Sequence, residues 1–209
     1  MRPIRLAGLL AALFLLAGCS IGLLGDGGRS DLFRFGVPEQ AQAASPDRGR
    51  PQRTIALERV RFAREIEGDR VLTSRGESVL YVEGMRWAAP AADLFTQAVL
   101  RQFAGRLPET LLASPRGAGG ATLALQLTVD RFEARYPAAA GKDDPPTIVV
   151  GGTAALSAQR GGPPIALHRF AVEEPATANG KAAIAAAFDR AVDRYTILLA
   201  DWTRGAPAN

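Results

Sequence analysis

The sequence predicts an α/β (α+β) fold, a single domain in which two amphipathic helices pack on one mostly antiparallel or mixed sheet. Residues 121–136 alternate apolar and polar side chains as a half-buried strand does. Two other segments, 85–107 and the C-terminal one, carry a single apolar stripe at helical spacing. Each helix has to bury that stripe against another layer, so both are expected to lie on the sheet.

The N-terminus has the parts of a secretory signal peptide: two arginines, the apolar run 9–16 and the small pair Ala17-Gly18. Leu16-Ala17-Gly18-Cys19 resembles the bacterial lipobox. That resemblance implies cleavage after residue 18, a diacylglyceryl group on the Cys19 thiol and acylation of the new amine. Two or more acyl chains hold a protein durably at a bilayer. We therefore interpret residues 1–18 as a lipoprotein signal peptide and Cys19 as a lipidated membrane anchor.

Two alternatives stay open for this segment. Residues 6–25 carry no charge and are long enough, at 20 residues, to span a bilayer uncut. The other alternative is an ordinary signal peptide with a chance cysteine. Ser20 follows Cys19 where an aspartate would signal retention in the inner membrane. By that lipoprotein sorting rule we expect the outer membrane, with the inner membrane as the alternative, and a domain that faces the periplasm.

Composition excludes several classes of protein. The chain has 209 residues and a net charge of +4, and its arginines are scattered. Nucleic-acid binding is therefore not expected, since it needs a basic run or patch. Cys19 is the only cysteine, so lipidation would leave no free thiol in an oxidising compartment.

The first part of the chain after the signal peptide reads as a tether and a strand. Residues 19–30 form the lipidated flexible tether; the 11 residues after Cys19, 20–30, are Gly-rich and as a flexible coil have an r.m.s. span of about 18 Å. Residues 31–37 (DLFRFGV) predict a short strand that opens the domain, which extends over 31–204. Residues 38–53 are rich in Pro, Ala and Gln and predict a loop or disordered insertion.

The middle of the chain predicts a strand over 54–62 and a hairpin over 70–84 that turns near Arg75-Gly76. Pro90 then suits the first turn of a helix, because its missing N–H has no partner to lose there. The stripe of that helix steps by four through Phe95, Val99, Phe103 and Leu107.

The second half predicts a short strand over 109–114 and three longer ones over 121–136, 147–159 and 165–174, the last three as an antiparallel meander. Asn179 is expected to cap the final helix. The stripe of that helix advances by four and three through Ile184, Phe188, Ala191, Tyr195, Leu198 and Trp202. Residues 205–209 form a C-terminal tail.

The residues offer no set of catalytic groups. His168 is the only histidine, and none of Ser74, Ser78 and Ser157 lies in a G-x-S-x-G turn. Asp143-Asp144 cannot supply a closed set of metal ligands and predicts a solvated turn. The glycines of GAGG (117–120) and VGG (150–152) predict turns or bulges. We therefore expect no enzyme activity, no metal and no cofactor beyond the covalent lipid on Cys19.

Tyr81, Arg86 and Trp87 are the candidate partner-binding surface. A tryptophan between a strand and a helix can seal the edge of the core, or it can belong to an interface, where Trp and Arg are favoured anchors. Both readings remain open for Trp87. Exposed strand edges are a further candidate surface and also allow self-association.

Residues 70–103 resemble the corresponding segment of the ABC-type transport auxiliary lipoproteins, which accompany MCE-type transport systems. In that family an aromatic strand leads into an Arg-Trp pair, then a proline and an amphipathic helix. Here those residues are Tyr81, Arg86-Trp87 and Pro90. The aromatic strand soon after the lipobox and the Ala-rich terminal helix that ends in Trp202 match as well. An aromatic residue more often stands near Glu83 or Met85 in the family, and the insertion at 38–53 is a second departure.

The resemblance implies an accessory subunit without catalytic residues. Its expected partners are an MCE-domain protein and an ABC permease and ATPase that together move phospholipid or another hydrophobic solute between the envelope membranes. It would act by docking. A structural envelope lipoprotein, or a direct lipid carrier with a pocket between helices and sheet, are the alternatives.

Overall fold

The computed structural model describes residues 30–37, 53–114, 116–158 and 162–206. The predicted signal peptide, most of the tether and nearly all of the predicted insertion at 38–53 lie outside these ranges. Within them, nine strands form one mixed sheet with two helices packed on it, which confirms the predicted fold class. The strands are β1 (Asp31–Phe33), β2 (Arg53–Leu57), β3 (Arg61–Phe62), β4 (Arg70–Arg75), β5 (Ser78–Trp87), β6 (Thr110–Ala113), β7 (Leu123–Tyr136), β8 (Thr147–Ser157) and β9 (Pro164–Pro175). The helices are α1 (Ala91–Arg106) and α2 (Lys181–Gly205).

The long strand β7 organises the sheet. On one side it pairs with β8, and β8 pairs with β9, all antiparallel, which confirms the predicted meander. On its other side β7 pairs in parallel with β2, β3 and β4 in turn. The β4–β5 hairpin is antiparallel and turns at Gly76, while β1 joins β5, and β6 joins β2, in parallel. The edges of the described sheet are therefore β9 on one side and β6, β5 and β1 on the other.

The middle of β7 contains a β-bulge. Its pairing with β8 runs to Val129 and resumes at Arg131, which leaves Asp130 as an extra residue. Because side chains alternate along a strand, one extra residue changes the face on which the following side chains lie. Val129 and Phe132, on either side of the bulge, are thus both buried in the core.

Two glycines of β8 lie opposite this bulge, as the VGG segment predicted. Gly152 has no room for a side chain: a Cβ there would lie 2.2 Å from the carbonyl oxygen of Thr128 and 3.0 Å from the Cα of Val129. Both neighbours are backbone atoms of the same sheet, so neither can move without breaking strand pairing.

A cluster of aromatic rings fills the space between sheet and helices. Phe132 lies at its centre, with ring centroids 4.8 Å from Phe188, 5.2 Å from Phe35, 5.7 Å from Phe62 and 6.0 Å from Trp87. The pairs with Phe62 and Trp87 are edge-to-face and the other two are tilted; aromatic pairs at these distances add about 0.5–1.5 kcal/mol each to the burial of the rings. The cluster joins β7 to the N-terminal segment, to β5 and to α2.

The N-terminal segment 31–37, which we call the strap, runs from the sheet edge to the helices. Gly36 has φ +67° and fits against Ala98 of α1, where a Cβ would clash. Its N–H donates to Asp189 Oδ1 of α2 at 2.5 Å, and its carbonyl accepts from Arg101 Nε of α1 at 2.8 Å. Both helices therefore hold the strap at one residue.

The helix starts test two predictions. Pro90 immediately precedes α1, as expected. The prediction that Asn179 caps α2 was wrong: the N-cap is Gly180, and no side chain caps the helix. The Asn179 amide instead accepts from the Tyr136 hydroxyl at 2.6 Å and donates to the Lys142 carbonyl at 2.5 Å. Its polar atoms are used to tie neighbouring loops together.

The bulge predicts the effect of one substitution. We expect Gly152→Ala to lower the free energy of unfolding by about 1–3 kcal/mol, since the methyl group has to displace backbone. Gly105→Ala is the control, because Gly105 lies in the last turn of α1 with nothing within 4 Å of the added Cβ. Alanine there should be neutral or stabilising. Urea denaturation of both variants measures the difference, and equal stability would contradict the packing argument.

Candidate docking surface

The predicted site residues fall in three different environments. Cys19 lies outside the described residues, and its lipidation stays a prediction. Trp87 is buried, at 2% exposure, between Phe35 and Phe188, whose ring centroids are 4.9 Å and 5.1 Å away. Its side chain therefore seals the core and is not part of an exposed surface, unlike those of Tyr81 and Arg86.

Arg86 points to solvent, because side chains alternate along β5. It donates two hydrogen bonds to the Asp69 carboxylate, at 3.1 Å and 2.9 Å. Both side chains are nearly half exposed, at 45% and 47%. Exposed ion pairs of this kind contribute about 0–1 kcal/mol to stability. The pair is thus available to a partner at little cost to the fold.

Tyr81 lies on the same strand beyond an irregularity in the β4–β5 pairing. Arg70 pairs with Arg86 and Leu72 with Tyr81, so extra residues of β5 loop out between them, including Gly84 with φ +62°. Here the Arg70 guanidinium carbon stacks 3.7 Å above the Tyr81 ring centroid.

The Tyr81 hydroxyl donates to the Glu65 carbonyl at 3.1 Å. We call residues Glu65, Asp69, Arg70, Tyr81 and Arg86 the Tyr81–Arg86 patch. It combines an aromatic ring and two guanidinium groups, which are favoured at protein interfaces, with the carboxylates of Glu65 and Asp69.

The outer edge of β5 continues this patch toward the hairpin tip. β1 covers β5 only at residues 85–87, and in the described part of the chain no strand pairs with the outer side of 78–83. Two apolar side chains here are largely exposed, Val79 at 60% and Leu80 at 69%. An open edge with exposed apolar side chains can accept an added strand.

The β9 edge has a different character, because ion pairs surround it. On one face Arg169 pairs with Asp130 at 2.8 Å and Glu173 with Arg135 at 2.7 Å. On the other face Glu174 accepts from two arginines of α2, Arg190 at 2.8 Å and Arg194 at 3.0 Å. Hydrogen bonds from Arg190 and then Arg194 outweigh the effect of burial and lower the pKa of Glu174.

A cavity of about 530 Å³ lies between the two helices and the strap. Several of its charged groups already have partners: Arg101 and Asp189 hold Gly36, and Arg106 binds Asp201 at 2.8 Å and 2.9 Å. The cavity is lined by charged as well as apolar groups, which does not suit an acyl chain.

The residues considered for chemistry remain apart. Ser157 donates to the Gly162 carbonyl at 3.2 Å, and the His168 ring lies against Phe170 at 4.4 Å. Asp144 accepts from the Gly141 amide at 2.7 Å in an exposed turn, as expected. Among the described residues no group of three or more His, Cys, Asp or Glu side chains could hold a metal ion. Neither described helix combines the length and the apolar character needed to cross a bilayer.

The ion pairs of Glu174 with Arg190 and Arg194 predict that the stability of the fold depends on pH. A carboxylate whose pKa is lower in the folded than in the unfolded chain stabilises the fold above its unfolded pKa, here 4.5, and loses that effect as pH falls through the folded pKa. We expect Glu174→Gln to be less stable than the wild type at neutral pH, with a difference that shrinks in acid, at pH values below 4.5. Urea denaturation at neutral and at acid pH measures it. Glu77→Gln, in the exposed hairpin turn, is the control and should change stability at neither pH; a Glu174→Gln deficit that persisted at low pH would contradict the ion-pair argument.

Comparison with known structures supports the fold. A crystal structure of a protein from Xanthomonas campestris matches with a TM-score of 0.66 and 22% identity, over 83% of this chain and 94% of that one. An uncharacterized protein matches with a TM-score of 0.65 and 16% identity, over 84% and 99% of the two chains. A hypothetical protein from Chlamydia trachomatis gives 0.50 and 10%, over 74% and 97%. No curated protein matches the sequence.

The family model of the ABC-type transport auxiliary lipoprotein component matches residues 35–198. The match begins at Phe35 in the strap and ends at Leu198 in α2, so it includes the aromatic cluster, the edge strands β5, β6 and β9, and the Tyr81–Arg86 patch. This is the family that the Arg-Trp segment resembled, and its members are lipoproteins associated with ABC-type transport. The chain belongs to the family of ABC-type transport auxiliary lipoproteins.

Proposed function

We propose that this protein is an envelope-anchored accessory subunit of an MCE/ABC-type transport system for lipids or other hydrophobic solutes. It is held by lipid on Cys19 at the outer membrane, with its domain in the periplasm, and it acts by docking onto an MCE-domain protein and the ABC permease and ATPase. It is not an enzyme. The observation that carries the proposal is the exposed β5 edge beside the Tyr81–Arg86 patch, in a member of this family.

Three features of the surface support docking there. The unpaired backbone of residues 78–83 offers hydrogen bonds to an added strand, and Val79 and Leu80 offer apolar area. The Tyr81–Arg86 patch next to them offers directional polar contacts. Burying apolar surface gains about 25 cal/mol of free energy per Å², so a partner that covers these two side chains is favoured.

The alternative of direct lipid carriage finds less support. The aromatic cluster fills the interior between sheet and helices in the described part of the chain, where an acyl chain would have to lie. A docking subunit needs no such cavity. A lipid anchor serves it by confining it to a membrane surface and raising its concentration near membrane partners.

The anchor predicts the outcome of metabolic labelling. Cells given radioactive palmitate should label the wild-type chain and should not label Cys19→Ser. Ser20→Ala keeps the thiol and should be labelled as the wild type is. A wild-type chain that carries no label, whether its leader is retained or removed, would overturn the anchor.

The docking surface predicts which variant loses partners. Mild detergent extraction of envelopes and purification of the wild-type chain should recover an MCE protein and a permease, identified by mass spectrometry. Leu80→Asp should reduce that recovery at least about tenfold, because a buried unpaired charge is costly. Leu111→Asp is the matched control, since Leu111 is also an exposed leucine, at 43%, but on the β6 edge.

Circular dichroism shows whether each variant is folded. If both variants lost the transporter components equally, or if Leu80→Asp recovered them in full, the docking surface would not be the β5 edge. Failure to recover any MCE or permease component with the wild type would count against the proposed system itself.

A further inference from the structure

The free edge of β9 is complementary to itself. In the described part of the chain β9 pairs with β8 on one side and with no strand on the other. We propose that β9 pairs with β9 of a second copy of this chain, antiparallel, about a two-fold axis at Ala171, so that two sheets become continuous. This interface is separate from the β5 surface and does not depend on the proposed transporter.

The charges of the edge specify this register. About a two-fold axis at Ala171, residues equally far from it are opposite each other, so Arg169 faces Glu173 of the second copy, and the reverse pair forms as well. Opposite charges in directly facing positions stabilise strand pairing, and like charges destabilise it. Both residues are exposed on the same face of β9.

Neighbouring registers lose this match. An axis at Arg169 places Arg169 opposite Arg169 of the second copy, and an axis at Glu173 does the same for Glu173. Either axis brings like charges together. An axis at Phe170 or at Val172 gives neither charge an opposite partner. Charged edge residues usually prevent strand pairing, but here their arrangement permits one pairing and disfavours its alternatives.

The same axis covers exposed apolar side chains. On the open face Leu167, 64% exposed, comes opposite Pro175 of the second copy. On the helix face Arg194 of α2 binds Glu174, and Trp202 packs 5.9 Å from Phe170.

Leu198 lies midway between Arg194 and Trp202 in four-residue steps, so it lies near the level of Val172, one residue from the axis. It is 46% exposed, and the axis places it against Leu198 of the second copy.

Helix spacing is compatible with this pairing. α2 packs on both β8 and β9, and an axis midway between those two strands is set back from the edge by about half a strand spacing. With strands about 4.8 Å apart, the two α2 axes come to lie about 10 Å apart, within the range for packed helices. A continuous sheet and a helix pair can therefore form together.

A cysteine at the axis tests the contact directly. Ala171 is exposed, and Ala171→Cys in the full chain places two thiols across the axis, where facing Cβ atoms are about 4.5–5.5 Å apart. Mild oxidation of envelopes or of detergent-purified protein should give a species of twice the monomer mass on a non-reducing gel. Leu111→Cys, on the exposed β6 edge, is the control for random collision, and the wild type controls for Cys19.

Charge reversal in the Ala171→Cys background identifies the register. Arg169→Glu and Glu173→Arg should each lower the cross-linked fraction about tenfold, because both facing pairs become repulsive. The double variant should recover it, since opposite charges face each other again across the axis. Within one chain the double variant still lacks the Arg169–Asp130 and Arg135–Glu173 pairs, so recovery reports the contact between copies.

Three results would overturn the proposal. The first is cross-linking of Ala171→Cys no greater than that of Leu111→Cys, and the second is a cross-linked species of another mass, which would mean that a different protein covers the edge. The third is a double variant whose cross-linked fraction is no higher than that of the single variants, while circular dichroism shows that all of them are folded. Dimer formation with recovery in the double variant supports it, whether or not transporter components are recovered.

Discussion

The packing of aromatic rings around Phe132 is the interaction on which the rest of this structure depends. Phe132 reaches that position because one extra residue, Asp130, changes the face of β7 on which the following side chains lie. The ring then contacts segments far apart in sequence, from Phe35 near the start of the domain to Phe188 in the last helix. The sheet, the helices and the strap all contribute side chains to this cluster.

Much of the fold was predictable because local patterns of apolar and polar residues identify its strands and helices. The alternation through Leu123 to Val129 identified β7, and apolar residues three or four positions apart identified both helices. The parallel pairing of β7 with β2, β3 and β4 was not predictable, since local pattern does not specify which distant strands meet. The bulge left one visible signal: Val129 and Phe132 are three residues apart, which simple alternation does not allow if both are buried.

The candidate site was less accessible to prediction, because docking requires no fixed set of residue types. The pair Arg86-Trp87 shows the difficulty. Alternation along β5 sends the two side chains in opposite directions, so one completes the core while its neighbour meets solvent, and the sequence left both readings open for Trp87. Asn179 was misassigned for a related reason: its amide had the right chemistry for a cap but binds Tyr136 and Lys142, which are distant in sequence. The Gly36 contacts were missed because both partners come from distant helices.

The strap has a mechanical consequence. A pull on the chain upstream of Asp31 travels first along β1, where backbone hydrogen bonds to β5 share the load, and then reaches Phe35 and Gly36. At these two residues the force acts on close-packed aromatic rings and on both helices together. It does not act on strand hydrogen bonds that could break one after another. Such tension is spread through the interior, so detaching the leading segment and breaking the tertiary structure become one cooperative event.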